Sequence, residues 1–257
     1  MDAILKEITS QDYSKIQNNI ELFLRKHVTD SSGFVFGLSG GIDSAVIAHI
    51  CAKSFKEKSL ALIMPDSKIS PKEETEDALY LVDKLGLDYK LIDINLIHSQ
   101  FANSLEPDER SLGNLCARIR ANLLYYYANL KNYLVLGSSD KSEYMIGYFT
   151  KFGDGSSDIA PIATLYKTQV RQLAKYLQVK ESIISKKSSP HLWKRHLAED
   201  EIGMSYEEID CILYCMIDKN MSASDIQKTT NISLDKIQKI NQLHKNSEHK
   251  RIMPDKP

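Results

Sequence analysis

The residue in this chain whose setting most clearly invites chemistry is Asp43. In the stretch GFVFGLSGGIDSAVIAHICA, residues 33–52, it follows an apolar run, a serine and two adjacent glycines, and it precedes a helical segment. After a strand, SGGIDS can curl its backbone N–H groups inward. Gly40 and Gly41 tolerate the dihedrals this needs and let an anion approach closely. Ser39 and Ser44 add hydroxyl donors, and the positive N-terminus of the following helix points at the same place. That is a cradle for phosphate. A carboxylate in it would repel a bare phosphate, so Asp43 implies a bridging cation. Mg²⁺, which takes one or two carboxylates together with phosphate oxygens, suits a nucleotide polyphosphate there. The same residues also make a serviceable turn and N-cap. No lysine follows the glycines as in a P-loop, and the spacing is not that of a dinucleotide fingerprint.

Elements that could hold such a loop are readable on both sides of it. FVFGL (34–38), SLALIMP (59–65), YKLIDI (89–94) and YLVLGS (133–138) read as strands. Helices are expected over 12–28, 44–53, 70–87, 114–131, 168–178, 205–217 and 233–244. Strands alternating with helices of this length imply right-handed βαβ units. The expected fold class is α/β, a mainly parallel, doubly wound sheet flanked by helices, with extra C-terminal helices and one domain over 1–257. Ligands of such sheets bind beyond the carboxyl ends of the strands, which selects the loops 38–44 and 137–143. Glu143 stands in the second of these, although alone it reads equally as an exposed helix acid.

Composition narrows the function classes. The chain has 257 residues, 42% of them hydrophobic, with 33 basic and 34 acidic side chains. A net charge of −1 argues against broad binding to nucleic acid or an anionic membrane. Cys51, Cys116, Cys211 and Cys215 form no C-x-x-C pair, so buried or free thiols are expected rather than zinc. The polar N-terminus and the lack of a long apolar run point to a soluble, cytoplasmic protein. Residues 185–201 are dense in charge and lack apolar periodicity. They read as a long mobile loop, either a lid or a surface insertion.

The motif SGGIDS resembles the S-G-G-x-D-S signature of the ATP pyrophosphatases, which split ATP into AMP and pyrophosphate while adenylating a substrate oxygen. Further blocks resemble the NAD synthetases among them. These are GNLCARIR (113–120), GSSDKSEYMIGYFTKFGDGSSDIAPI (137–162), LYKTQVRQLAKYL (165–177) and EHKRIMP (248–254), in the family's order. The resemblance is to the short, ammonia-using form, since the glutamine-using form carries an additional amidase domain of a few hundred residues. It implies an adenine nucleotide alpha hydrolase-like fold, ATP as co-substrate, Mg²⁺, ammonia and deamido-NAD as substrates, and a homodimer.

The resemblance also implies roles for individual residues. Gly37, Leu38, Ser39, Gly40, Gly41, Ile42, Asp43 and Ser44 would hold ATP, with Ser138, Lys167 and Ser189. Asp43 and Glu143 would ligate the metal. Arg118, Lys151, Asp158, His249 and Lys250 would contact deamido-NAD, and Asp158 is a candidate to take the proton of ammonium. SSDKSE departs from the common TDHAAE, and KSSPHLW departs from a PTADL-like segment. Without these blocks, the lysines would read as surface residues. A tRNA-modifying ATP pyrophosphatase is the alternative enzyme, but a basic face or sulfur-carrying C-x-x-C is missing. A nucleotide-binding regulator with a decayed site is a third reading, opposed by the intact Asp43 and Glu143.

Overall fold

The computed structural model describes residues 1–28, 32–193 and 196–252. Helices α1 (Asp2–Thr9) and α2 (Tyr13–Arg25) lead into β1 (Phe34–Gly37) and α3 (Ile42–Ser54). Then come β2 (Ser59–Ile63), α4 (Lys72–Leu85), β3 (Asp88–Leu91), α5 (Asn95–Ala102), α6 (Glu109–Lys131) and β4 (Leu134–Leu136). The chain continues with α7 (Lys141–Ile146), α8 (Lys167–Tyr176), α9 (Glu181–Ile184) and α10 (Ala198–Ile202). It finishes with α11 (Tyr206–Leu213), α12 (Ala223–Thr230) and α13 (Leu234–Asn246).

The four strands form one parallel sheet in the order β3-β2-β1-β4. Strand residues alternate between its two faces. Phe34 and Phe36 enter a core shared with α3, α4 and α8, while Val35 enters a second core with Cys116 and Ile119 of α6. The sheet is therefore doubly wound, and β1 and β2 are apolar because both of their faces are covered. Successive strands run outward from β1 to β3 and then return to β4 on the other side of β1. That reversal is the switch point where a crevice opens, between the loops that follow β1 and β4. A third core joins α1 to α7 and the C-terminal helices through Ile8, Tyr206, Ile212 and Ile240.

Several elements differ from the periodicity reading. The strand expected over 89–94 is present as β3 but ends at Leu91, an exposed edge strand in place of a buried one. α1, α5 and α12 had no counterpart in that reading, being eight-residue helices too short for a clear stripe. The helix expected over 205–217 is α-helical only to Leu213 and continues as a π-helical turn over Tyr214–Asp218. The segment 185–201 ends in α10, whose Ala198 and Ile202 are buried. Its Lys194 and Arg195, and Met253 and Pro254 of the terminal block, lie outside the described residues.

Candidate active site

The loop after β1 is shaped from within. Leu38 continues the sheet by donating its N–H to Leu62 O at 2.9 Å. Gly40 has φ +86°, and a Cβ on it would stand 2.2 Å from Glu74 O, so the turn against α4 admits only glycine. Ser44 Oγ donates to Gly41 O at 3.0 Å and accepts the Ser39 N–H at 3.2 Å, which closes the loop onto the start of α3. The loop after β4 is closed by its own acid. Asp140 Oδ1 accepts the Glu143 N–H at 2.8 Å and caps α7. The Asp-x-x-Glu spacing that could have revealed Asp140 is a capping signal.

Both loops line one cleft of about 680 Å³, along with α6, the segment 147–156 and the strap 186–193. Asp43 and Glu143 face it. Behind them lies Lys167, at the first position of α8 and fully buried. Its Nζ is 2.8 Å from Asp43 Oδ2, Asp140 Oδ2 and Glu143 Oε1 alike. Burial alone would lower the Lys167 ammonium, but Asp140, Asp43 and Glu143 overcome that and hold it well above its ordinary value. Burial raises the Glu143 carboxyl, Lys167 opposes the rise, and Asp140 and Asp43 add to it; the net direction is upward. Asp140 is raised in the same way.

Three carboxylates thus share one ammonium, and their excess negative charge sits in a poorly hydrated place. Asp43 Oδ1 is buried and has no hydrogen-bond partner. An unpartnered buried carboxylate oxygen beside a second carboxylate on the cleft wall is a donor set that fits a hard divalent cation such as Mg²⁺.

The structure brings most of the expected residues together. Gly37, Leu38, Ser39, Gly41, Ile42, Ser44, Ser138, Arg118, Lys151, His249 and Lys250 all line the cleft. Arg118 Nε donates to Lys151 O at 3.3 Å, and Lys151 Nζ donates to His249 O at 2.6 Å. Lys250 Nζ donates to Gly147 O and Phe149 O, each at 2.7 Å, and burial lowers its pKa. Ser189 lines the cleft, but its hydroxyl is spent within the strap on His196 O.

Three expected contact residues lie off the cleft lining. Lys167 meets carboxylates instead of opening on the cleft, because burial of its charge demands counter-ions. Gly40 shapes the loop without lining the cleft. Asp158 stands off this lining too, and its Oδ2 accepts the Val135 N–H of β4 at 2.8 Å.

The cleft also holds residues that the sequence reading did not single out. Asp154 lines it, with its carboxylate accepting the Thr150 N–H at 2.8 Å. At the strap, Trp193 stacks on His196 with ring centroids 3.4 Å apart. His196 Nε2 lies 2.7 Å from Glu201 Oε2 and 3.1 Å from the Tyr148 hydroxyl.

A doubly wound parallel sheet with a glycine-turned loop and paired carboxylates at its switch point defines an adenine nucleotide alpha hydrolase-like protein. Comparison with known proteins narrows this. The sequence model of the family described as NAD synthase matches residues 16–254. An NH(3)-dependent NAD(+) synthetase of Hyperthermus butylicus is 46% identical, over 100% of this chain and 95% of its own. The solved NH3-dependent NAD synthetase of Campylobacter jejuni is 37% identical with a TM-score of 0.83, covering 96% of this chain and 100% of its own. The NMN synthetase of Francisella tularensis is 34% identical with a TM-score of 0.85, covering 96% and 99%. The chain belongs to the NAD synthase family, the ligases that form the amide carbon–nitrogen bond of NAD⁺.

Proposed function

We propose that this chain amidates the nicotinate carboxyl of deamido-NAD with ammonia, consuming ATP and releasing AMP and pyrophosphate. The observation that carries the reading is the convergence of Asp43 and Glu143 from two separate loops on one cleft, with Asp43 Oδ1 buried and unpartnered. A carboxylate oxygen of the substrate attacks the α-phosphorus, the bond to pyrophosphate breaks, and ammonia then displaces AMP from the acyl-adenylate. Carboxylate is a poor electrophile, and adenylation supplies its leaving group. The protein's part is positioning and charge stabilisation. Mg²⁺ held by Asp43 and Glu143 would supply countercharge to the phosphates.

The chain's own groups divide the remaining work. The loop 39–44 receives phosphate, with Ser138 and Ser189 beside it. Lys167 holds the acids in place for the cation and keeps their mutual repulsion in check. Arg118, Lys151, His249 and Lys250 surround deamido-NAD. Asp154, on the cleft wall, joins Asp158 as a carboxylate suited to take the proton of ammonium. One catalytic unit is formed by the sheet and the C-terminal helices together.

A homodimer and a cytoplasmic setting belong to the same reading. Leu96 and Phe101 of α5 and Tyr126 and Leu130 of α6 are exposed apolar side chains, the kind of surface a second copy would cover. No helix among the described residues is long and apolar enough to cross a membrane.

Purified protein with deamido-NAD, ATP, Mg²⁺ and ammonium is expected to form NAD⁺ and AMP in equal amounts. No NAD⁺ under these conditions overturns the proposal. Glutamine in place of ammonium is expected to give none. Nicotinate mononucleotide in place of deamido-NAD tests whether this cleft shares the product named for the Francisella relative.

A further inference from the structure

Asp210 lies on α11, outside the cleft lining and fully buried, yet neither of its oxygens is idle. Oδ1 accepts the Ser142 hydroxyl at 2.5 Å, and Oδ2 accepts the Thr168 N–H at 2.8 Å. The Ser142 hydroxyl oxygen in turn accepts the Lys167 N–H at 2.9 Å. One carboxylate from the C-terminal helical layer therefore engages α7 immediately before Glu143 and holds the second amide of α8 directly, while the first, that of Lys167, is reached through Ser142.

We infer that Asp210 is a positioning residue for the carboxylate site, fixing Lys167 and Glu143 relative to each other through Ser142 and Thr168. The inference rests on the proposed assignment of Asp43 and Glu143 to the metal and phosphate site.

A single buried carboxylate suits this place for three reasons. Both of its oxygens accept, so it can satisfy an O–H and an N–H that arrive from two different helices. It is an anion at the start of α8, where the helix dipole favours one. Its own helix is locked by the buried Ile209, Cys211, Ile212 and Leu213. The packing of the C-terminal core is thereby transmitted to the start of α8, whose first side chain reaches all three acids. Burial is expensive for such a group. Burial raises the Asp210 carboxyl, the Ser142 and Thr168 hydrogen bonds oppose the rise and Asp140 adds to it, for a net value of about 7. An acid kept at that cost in the core, where apolar residues would stabilise more, is consistent with a positional task.

The test compares Asp210→Asn, Ser142→Ala and the packing control Ile212→Val with wild type, all assayed well below their melting temperatures. Asp210→Asn keeps the shape but loses one acceptor. Ser142→Ala cuts the link to Lys167 and leaves Asp210 in place. Both are expected to lower kcat about tenfold or more and to raise the Mg²⁺ concentration for half-maximal turnover at least fivefold, with KM for deamido-NAD changed less than twofold. Ile212→Val is expected to lower the melting temperature without changing the Mg²⁺ dependence. If Asp210→Asn does not fold, Ser142→Ala alone decides the matter. Wild-type kcat and Mg²⁺ dependence in a folded Ser142→Ala or Asp210→Asn protein overturn the inference. A wild-type protein that makes no Mg²⁺-dependent NAD⁺ overturns instead the proposed function on which it rests.

Discussion

Lys167 Nζ lies 2.8 Å from Asp43 Oδ2, although 124 positions separate the two residues in the chain. The contact joins the start of α8 to the start of α3, and it places an ammonium directly behind a carboxylate of the cleft wall. Replacing Lys167 with methionine would keep much of the volume and leave Asp43, Asp140 and Glu143 with no countercharge. Breaking a buried ion pair by removing one partner costs about 3–5 kcal/mol. Lys167→Met is thus expected to melt well below wild type at pH 7, with added Mg²⁺ recovering part of the loss. Equal melting temperatures without metal would show that the three acids do not depend on this ammonium.

Asp43→Asn and Glu143→Gln keep the shape of the loops and remove charge from the cleft wall. Each is expected to lower turnover roughly 100-fold or more, the scale of a lost group that stabilises transition-state charge. Fluorescence or calorimetric titration should show weaker binding of Mg²⁺–ATP by both variants. Near wild-type turnover for both at saturating Mg²⁺ would remove the metal assignment.

Asp66 and His98 offer a pH test away from the cleft. Asp66 is buried after β2, and its carboxylate accepts His98 Nδ1 at 2.7 Å, Asn95 Nδ2 at 3.0 Å and the Lys68 N–H at 3.0 Å. Burial alone would raise the Asp66 carboxyl, but these donors outweigh it and the net shift is downward. A carboxyl depressed on folding contributes stability above its unfolded value, near 3.8, and that contribution is lost as pH falls through the lower folded value. Asp66→Asn is therefore expected to cost about 1–3 kcal/mol at pH 7, with the gap to wild type closing at pH values below about 4. Denaturant melts at several pH values would read this, and a gap independent of pH would assign the loss to packing.

Trp193 is the chain's single tryptophan, so its emission reports on the strap alone. The strap is moored to α4, with Lys186 Nζ 2.7 Å from Asp77 Oδ2 and 3.1 Å from Glu74 Oε1. Because Trp193 and Ser189 line the cleft, saturating ATP, Mg²⁺ and deamido-NAD are expected to change the emission and to slow proteolysis near Lys186 and Lys187. Excluding water from an acyl-adenylate gives such closure a purpose. Unchanged emission together with unchanged cleavage would mark the strap as a surface insertion with no part in ligand binding.

Local features of the sequence carried the parts of this protein that depend on neighbours in the chain. Apolar strands bounded by turn residues, with helices between them, announce a parallel sheet. Gly40 and Gly41 before Asp43 announce a tight turn from strand to helix, because the dihedrals and the helix start lie within a few residues of one another. The short helices α1, α5 and α12 escaped, since eight residues hold barely two turns and give periodicity little to act on.

Only the tertiary structure could decide which groups face one another. Nothing near Lys167 in the chain says that its ammonium turns inward to three acids, or that Asp210 grips the start of its helix from another layer. Asp158 and Asp154, four positions apart on one loop, find different partners: one accepts a strand N–H, the other a loop N–H at the cleft wall. The reason is physical. Secondary structure follows local dihedral preference and spacing, whereas the partner of a buried charge is set by the long-range packing that excludes water around it.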